Sequence, residues 1–304
     1  ARSRWSMGLA GGALLALGLN LVWGMRVMSN LGLVAFYAVG PYVWALLTKK
    51  AGWPMPAGLL AAMLVTAVAG MVMALVTARL RGDYLAIITL GFSEVVRLVA
   101  ANEIWLTNGT DGISGIPGPW RGQVTPATFN LIYLGLATVG VATAYLAIHR
   151  VPPSPYGRVL RAIRDDDQVA AVAGKPVIAF KVEPFAVSAA VLGLAGALYG
   201  HYTSYIGPEG FVPLISIYIV LALTAGGTGS NTGAVVGAFL VVFFLESTRF
   251  VTAALPALKP VQVAAVREFL IGASLIVVLR VRPSGLIPER MPRHAPPAPP
   301  GATR

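Results

Sequence analysis

The chain has 304 residues, of which 56% are hydrophobic and 12% are charged, and its mean hydropathy is +0.73. Soluble domains carry about 25% charged residues, so this composition excludes a soluble domain and is typical of an integral membrane protein. The lack of cysteine excludes disulfides, cysteine zinc sites and thiol nucleophiles. The net charge of +11 does not indicate nucleic-acid binding, because the basic residues cluster at the ends of apolar runs and in the C-terminal tail.

Apolar segments follow one another along most of the chain, and a spanning helix needs about 20 predominantly apolar residues. In chain order the candidates are Trp5–Met25, Asn30–Leu47, Ala57–Thr77, Tyr84–Ala101, Ala127–Ile148, Val177–Gly200, Pro213–Ala225, Gly233–Leu245 and Val263–Leu279. The 34 glycines favour close helix packing and broken or re-entrant segments. We therefore expect an all-α polytopic membrane helix bundle with about eight to nine membrane segments, some of them broken or re-entrant.

Basic residues in short loops predict the orientation of these segments. The loop 152–182 and the tail after Leu279 are rich in arginine and lysine, which places both in the cytoplasm, whereas the acidic loop 102–126 is predicted to be external. Counting backwards from these positions places Lys49 and Lys50 outside, against the usual bias. Either the segment Asn30–Leu47 is re-entrant or the bias fails there.

The loop 152–182 is a charged island with its own helix signals. Ser154 before Pro155 is a good N-cap, and Gly174 followed by a proline is a stop signal. Arg161 and Asp165 lie one helical turn apart and are expected to pair. The pattern leaves two shapes open: one helix up to Gly174, or two short helices broken around Asp165–Asp167. A polar helix between apolar segments needs water or a protein partner.

The glycine-rich run 224–233 was compared with a phosphate-binding loop. A P-loop requires Lys-Ser/Thr after its final glycine, whereas Gly233 is followed by Ala234 and Val235. The chain therefore has no recognisable ATP site. The run is either a broken membrane helix lining a translocation path or its gate, or a tight turn between two helices.

Two charged residues, Glu94 and Arg97, lie three positions apart within an apolar segment. A charge near the bilayer centre costs about 2.5–3.5 kcal/mol on insertion scales, so such residues usually face the bundle interior and pair. They either shape a solute path or form a structural ion pair near the external end of the helix. The three histidines lack metal-ligand spacing, and no catalytic signature is present, which predicts no metal site and no enzyme activity in this chain.

Several ordered motifs resemble the LivM-like permease subunit of branched-chain amino-acid-type ABC importers. The longest is Tyr156-Gly-Arg-Val-Leu-Arg-Ala-Ile-Arg-Asp-Asp-Asp-Gln-Val-Ala-Ala-Val-Ala-Gly174. Further matches are Gly82-Asp83-Tyr84-Leu85-Ala86, Thr89, Thr110-Asp111-Gly112-Ile113-Ser114-Gly115-Ile116-Pro117 and Gly226-Gly227-Thr228-Gly229-Ser230. The resemblance covers roughly residues 15 to 285.

The resemblance implies that the segment matching 157–174 is a cytoplasmic coupling helix, which docks on a separate ATP-binding subunit. The predicted ATPase-coupling residues are Gly157, Arg158, Arg161, Ala162, Arg164, Asp165, Asp166, Asp167, Ala170, Ala171 and Gly174. The candidates for the translocation path are Thr89, Glu94, Arg97, Gly226, Gly227 and Gly229. This division gives a permease domain at 1–285, with the coupling region 152–182 inside it, and a disordered proline-rich cytoplasmic tail at 286–304.

The same resemblance implies the partners: a LivH-like second permease, two ATP-binding subunits and an external solute-binding protein, assembled in the bacterial inner membrane and surrounded by lipid. This chain would bind no cofactor, and ATP and Mg would sit on the ATP-binding subunits. The implied function is ATP-driven import of a branched-chain amino acid or a similar small polar solute. Because many members of the family begin earlier, we expect a further helix before residue 1, with Ala1 outside.

Two alternatives remain at this point. The first is a stand-alone secondary transporter, which needs an ion-coupling site in the membrane, for which Glu94 is the main candidate. The second is an importer of the same family for urea, amides or small aromatic acids.

Overall fold

The computed structural model describes residues 2–24, 28, 30–80, 82–116, 118, 124–253, 260–281 and 285–288. Within these ranges the chain is almost entirely helical. The helices are α1 (Arg2–Leu19), α2 (Leu33–Lys49), α3 (Met55–Thr77), α4 (Gly82–Asn102), α5 (Ile104–Thr107), α6 (Pro126–His149), α7 (Pro155–Asp165), α8 (Asp167–Val172), α9 (Val177–Thr203), α10 (Leu214–Gly226), α11 (Asn231–Ala253) and α12 (Pro260–Val281).

Five helical segments in the described part of the chain are long and apolar enough to cross a membrane: Met55–Thr77, Tyr84–Asn102, Pro126–His149, Val177–Thr203 and Pro208–Gly226. Three shorter apolar helices accompany them, at Gly8–Gly24, Leu33–Lys49 and Asn231–Leu245. The chain is therefore a polytopic membrane protein, as the composition predicted. Large aliphatic side chains remain exposed along these helices, as expected for surfaces that face lipid or another subunit.

Helix α9 is the centre of the bundle and packs against α1, α2 and α3. Its contact with α2 is close because both helices carry glycine there. A Cβ on Gly40 would lie 2.2 Å from the carbonyl oxygen of Gly193, and a Cβ on Gly196 would lie 1.9 Å from that of Tyr37. Small residues let membrane helices approach backbone to backbone, which replaces the missing hydrophobic drive with van der Waals contact.

One end of the bundle, here called the strand-pair end, carries the short antiparallel strands β1 (Ile113–Ser114) and β2 (Tyr205–Ile206). The Lys49 ammonium donates to the carbonyl of Ser114 at 2.6 Å, and the Lys50 ammonium donates to that of Trp105 at 3.1 Å. Helix α2 is thus one continuous helix from Leu33 to Lys49 that finishes at the same end as α4.

The opposite end, here called the glycine end, holds the turn 227–230 between α10 and α11. The chain after α12 returns to this turn: Leu286 N–H donates to Ala225 O at 3.0 Å, and Ile287 N–H donates to Gly226 O at 2.8 Å. These bonds satisfy carbonyls that α10 leaves open at its C-terminus. Ordered contacts therefore continue past the domain boundary expected at residue 285, whereas residues 289–304 of the predicted tail lie outside the described residues.

Candidate functional site

The charged island folds as two short helices, α7 and α8, and the residue between them is Asp166. Asp166 has extended backbone angles, φ −158° and ψ 113°. Its side chain accepts hydrogen bonds from the N–H groups of Gln168 at 2.9 Å and Val169 at 3.0 Å. Aspartate is a favoured N-cap because its carboxylate satisfies first-turn donors and favours the positive end of the helix dipole. Of the two shapes left open by the sequence, the broken one is correct.

The outer limits of the island are those the sequence predicted. Ser154 caps α7, its hydroxyl accepting from Gly157 N–H at 3.1 Å. At the other limit Gly174 has a φ of +75°, Gly174 N–H bonds to Ala171 O at 3.0 Å, and Lys175 N–H bonds to Ala170 O at 3.1 Å. This pair of bonds is a Schellman motif, which glycine favours because the left-handed position strains other residues.

The inner face of the island packs on the bundle through Gly157, Leu160, Ile163 and Ala170, all of which are buried. A Cβ on Gly157 would lie 2.2 Å from the carbonyl oxygen of Val151. Glycine is therefore required for the first turn of α7 to fold back against the preceding turn. The predicted coupling residues Gly157 and Ala170 thus fix the element in place and do not present a surface of their own.

The outer face of the island combines charge with exposed valines. Its exposed members among the predicted coupling residues are Arg158, Ala162, Asp165, Asp166, Asp167, Ala171 and Gly174. Val172 is 91% exposed and Val169 is 64% exposed, at the two ends of one turn of α8. The outer face therefore presents two valines among charged side chains.

The expected pair between Arg161 and Asp165 is not formed, and this prediction was wrong. The Arg161 guanidinium instead donates to the carbonyl of Pro152 at 2.8 Å, and Asp165 lies 3.6 Å from the guanidinium of Arg164. An exposed helix pair contributes only about 0.3–0.5 kcal/mol, which a bond to a backbone carbonyl of the preceding turn easily outweighs. Arg161 therefore clamps the start of the island, and Arg164, with its side chain 10% exposed, is largely covered.

Two contacts that sequence reasoning missed tie the island to α9. The ring of Tyr156 stacks on Phe180 with centroids 5.1 Å apart. Burial raises the pKa of the Tyr156 phenol above its ordinary value, and a hydrogen bond to Glu183 raises that pKa further. Lys181 binds Asp167 at 3.0 Å. These contacts link α7 and α8 directly to the central helix. Spacing along one helix does not predict them, because each contact joins two different helices.

The glycine-rich run forms a tight turn between α10 and α11, the second of the two shapes considered. A Cβ on Gly226 would lie 1.9 Å from the carbonyl oxygen of Gly233, so the two helices touch backbone to backbone. Gly227 and Gly229 take φ values of 123° and 85°, and Ser230 caps α11 by accepting from Gly233 N–H at 3.1 Å. Packing and turn geometry account for Gly226 and Gly227 without a role in solute passage.

A buried amide pair, also unanticipated, holds this turn against α1. Asn20 lies in a π-helical turn, Asn20–Gly24, that continues α1. Its side chain donates to Asn231 Oδ1 at 2.8 Å and accepts from Gly229 N–H at 3.0 Å. Asn20 is 3% exposed and Asn231 9% exposed. Insertions of this kind in helices are frequent at functional sites.

The glycine turn and the island meet around a cavity of about 630 Å³. Its wall includes Arg161 and His149 on one side and Gly229, Ser230 and Thr232 on the other. Of the three glycines predicted for the path, Gly229 is therefore the one that lines open space here. The cavity places the coupling residue Arg161 next to the turn that Asn20 holds.

The remaining path candidates lie on α4 and divide between its two sides. Thr89 is 1% exposed; its hydroxyl accepts from Leu31 N–H at 3.1 Å and donates to Ala86 O at 3.0 Å, which anchors the start of α2. Arg97 donates to Glu94 through two nitrogens, one bond measuring 2.9 Å, and the two side chains are 27% and 37% exposed. The structure thus brings Glu94 and Arg97 together but leaves Thr89 on the opposite, buried side.

Comparison with known proteins identifies the family. The family described as the permease component of the branched-chain amino acid transport system matches residues 9–279, most of the chain. The chain belongs to this family. It is a permease component of a branched-chain amino acid ABC transport system, a transport subunit without catalytic activity of its own, and the stand-alone transporter alternative is not supported.

Individual relatives agree with this assignment. The high-affinity branched-chain amino acid transport system permease protein LivM of Salmonella typhimurium is 32% identical over 302 residues, covering 92% of this chain and 68% of that protein. The probable LivM of Methanocaldococcus jannaschii is 30% identical, over 73% of this chain and 65% of that protein. LivH of Escherichia coli is more distant, at 25% identity over 90% of both chains. No solved structure matches the chain.

Proposed function

We propose that the chain forms one half of the membrane pore of an importer for branched-chain amino acids, driven by separate ATP-binding subunits. The observation that carries this proposal is the island 154–175, a doubly capped pair of helices with an exposed face of charge and valine, clamped to the central helix of the bundle. It supplies a rigid surface on which a partner can push. The family membership supplies the kind of partner.

The island docks on the ATP-binding subunit through Arg158, Val169 and Val172, which are exposed together with the three successive aspartates. Closure of the ATP-binding subunits on nucleotide moves α7 and α8 as one body. The stack of Tyr156 on Phe180 passes this motion to α9, which packs against α1, α2 and α3. Switching between outward and inward access then follows as a rigid-body change of these helices.

The glycine end lies in the cytoplasm and the strand-pair end lies outside. The five basic residues of the loop 152–182 support this orientation, as does the return of the chain after α12 to the same end. Lys49 and Lys50 then lie outside, against the usual bias. Each ammonium group has a local structural role there, because it donates a hydrogen bond to the backbone carbonyl of Ser114 or Trp105. The C-terminus is cytoplasmic, and the membrane is the bacterial inner membrane.

In the described part of the chain nine helices cross between the two ends, and the island and the short α5 do not. The crossing helices are α1, α2, α3, α4, α6, α9, α10, α11 and α12. The pore is completed by a LivH-like second permease, and an external binding protein delivers the solute at the strand-pair end. Two ATP-binding subunits hold ATP and Mg, and this chain binds no cofactor. The solute passes along the exposed side of α4, on which Glu94 and Arg97 lie.

The test is uptake by the complete importer in proteoliposomes. With the binding protein outside and ATP inside, we expect uptake of labelled leucine that stops when ATP is withheld. Val172→Asp places a charge at the docking surface and is expected to abolish uptake and ATPase stimulation. Val172→Ala, which keeps this 91% exposed position apolar, is the matched control and leaves ATPase stimulation intact. Uptake of urea, an amide or benzoate instead of leucine would contradict the proposed solute.

A further inference from the structure

Helix α4 presents two different sides. Its buried side carries Leu85, Thr89, Ser93 and Ala100, each at most 5% exposed. The other side carries Ile87, Gly91, Val95 and Leu98, which are exposed. Ile87, Gly91, Glu94 and Leu98 recur every three or four residues and therefore share one helix face, with Glu94 half-buried. Arg97, also half-buried, lies at the border between this face and the buried one and reaches Glu94 across one helical turn.

The ion pair on this exposed side cannot face lipid. Insertion of a charged residue at the centre of a spanning helix costs about 2.5–3.5 kcal/mol, and such residues turn towards protein or a water-filled cavity. The pair nevertheless keeps 27% and 37% of its two side chains uncovered by this chain, within the span Tyr84–Asn102. Another molecule, water, solute or protein, therefore meets Arg97 and Glu94.

The pair retains capacity for further bonds. A guanidinium has five N–H donors, and Arg97 directs bonds from two of its nitrogens to Glu94. The carboxylate of Glu94 has about four acceptor sites, of which Arg97 takes two. A vacant set of donors beside a vacant set of acceptors is complementary to one kind of small solute, a zwitterion with a carboxylate and an ammonium on neighbouring atoms.

Gly91 lies one helical turn before Glu94, and the space beside its Cα is open. A Cβ built on Gly91 would meet nothing within 4 Å, so packing inside this chain does not require glycine there. Glycine inside a helix costs up to about 1 kcal/mol relative to alanine, so the residue indicates a need for room at this face. The exposed Ile87 and Val95 border that room with aliphatic surface.

We propose that Arg97, Glu94 and the notch at Gly91 form a transient recognition site for the transported amino acid. The α-carboxylate binds the free donors of Arg97, and the α-ammonium binds Glu94. The aliphatic side chain lies over Gly91 between Ile87 and Val95. This rests on the proposed function, because it places the solute of that importer on the exposed side of α4. It makes the pair specificity-determining for zwitterions.

The test uses the complete importer with its binding protein at saturation. We expect Glu94→Gln, Arg97→Gln and the neutral double variant each to lower leucine turnover by about tenfold or more, the loss expected when a hydrogen bond to a charged group is removed. Gly91→Leu, which fills the notch, is expected to slow leucine transport more than Gly91→Ala. Wild-type turnover in the neutral double variant would overturn the proposal.

Two further outcomes separate competing explanations. If the variants fail to retain the second permease during purification, the face serves subunit packing and the proposal is overturned.

Thiol labelling provides a second test. Because the chain has no cysteine, Gly91→Cys introduces a single thiol at the proposed site. With the partners also freed of cysteine, a charged thiol reagent should modify Cys at 91 more slowly when leucine-loaded binding protein is present. Leu64→Cys, 66% exposed on α3, is the lipid-facing control. Modification at 91 that leucine does not slow would overturn the proposal, whereas a wild-type importer without leucine uptake would instead remove the proposed function.

Discussion

Asn20 and Asn231 join their side-chain amides at 2.8 Å, although 211 positions of sequence separate them. Both are buried, and Asn20 also accepts a bond from Gly229 N–H. The two residues therefore fasten the glycine turn to α1 at the end of the bundle that carries the coupling island. Neither residue stands out in the sequence, since Asn20 is a single polar residue within an apolar run and Asn231 is one of several polar residues in the glycine-rich run.

We predict that Asn231→Ala destabilises the protein by about 1–3 kcal/mol, because the side-chain NH2 group of Asn20 is left buried without its acceptor. The measurement is thermal unfolding in nanodiscs. Asn20→Ala is expected to cost a similar amount, and the double variant less than the sum, because the two residues share one interaction. Asn102→Ala, at an exposed amide bonded only to Leu98 O at 2.7 Å, is the control. Additive losses would contradict a shared interaction.

Asp166 is expected to be necessary for the break in the island. Asp166→Ala removes the cap of α8 and should cost about 1 kcal/mol locally, while Asp166→Asn should retain most of the effect, since asparagine also caps well. Hydrogen exchange of the Gln168 and Val169 amides measures this directly, because both donate to Asp166. Asp165→Ala, which removes a neighbouring exposed carboxylate, should leave that exchange slow. Equal exchange in both alanine variants would refute the capping role.

Gly157 is predicted to tolerate no side chain. In Gly157→Ala the new Cβ would lie within 2.2 Å of Val151 O, so α7 must shift away from the bundle. Overpacking of this kind costs about 1–3 kcal/mol, and we expect ATPase stimulation to fall together with stability. Gly135→Ala in α6 is the control, because a Cβ there meets nothing within 4 Å and alanine is the better helix former. Normal ATPase stimulation in Gly157→Ala would show that α7 need not sit tightly against the turn before it.

The phenol of Tyr156 is expected to make the free energy of unfolding decrease at alkaline pH. Its pKa in the folded protein is raised above the ordinary value of 10.0, first by burial and then by the bond to Glu183. A raised pKa means that the contribution to the free energy of unfolding is complete below about pH 10 and is lost as the pH rises further.

We therefore expect the stability of wild type relative to Tyr156→Phe to be constant up to about pH 9 and to decline above about pH 10. Melting temperature measured from neutral to alkaline pH tests this. The phenylalanine variant keeps the stack on Phe180, so the comparison isolates the hydroxyl. Tyr84→Phe, at a ring that is 71% exposed, is the control. Parallel profiles for wild type and Tyr156→Phe would show that the pKa of the Tyr156 phenol is not raised in the folded protein.

The island illustrates which features a sequence alone can predict. Ser154 and Gly174 act on backbone groups within a few residues, so their types and positions were sufficient to place both limits. The break at Asp166 was left open because each of three successive aspartates is a competent cap, and the choice depends on how Leu160, Ile163 and Ala170 reach the bundle. The partner of Arg161 was predicted wrongly because helix spacing does not reveal a carbonyl in the preceding turn.

The glycine turn and α4 show the opposite case. The pattern around Gly226 fits both a broken helix and a turn, and only the contact with Gly233 across the two helices distinguishes them. The pairing of Glu94 with Arg97 follows from their spacing, whereas the side of α4 that they occupy depends on which helices cover Thr89 and Ser93. Long-range packing therefore decided what local patterns left ambiguous.

The bonds from Leu286 and Ile287 to the end of α10 determine where the chain tolerates alteration. A chain shortened before Leu286 would leave the carbonyls of Ala225 and Gly226 without these donors, directly beside the turn that Asn20 holds. Purification tags, fluorescent fusions and nonsense alleles that cut into this stretch should therefore impair the transporter. The return segment 285–288 is thus a part of the chain that engineering should leave intact.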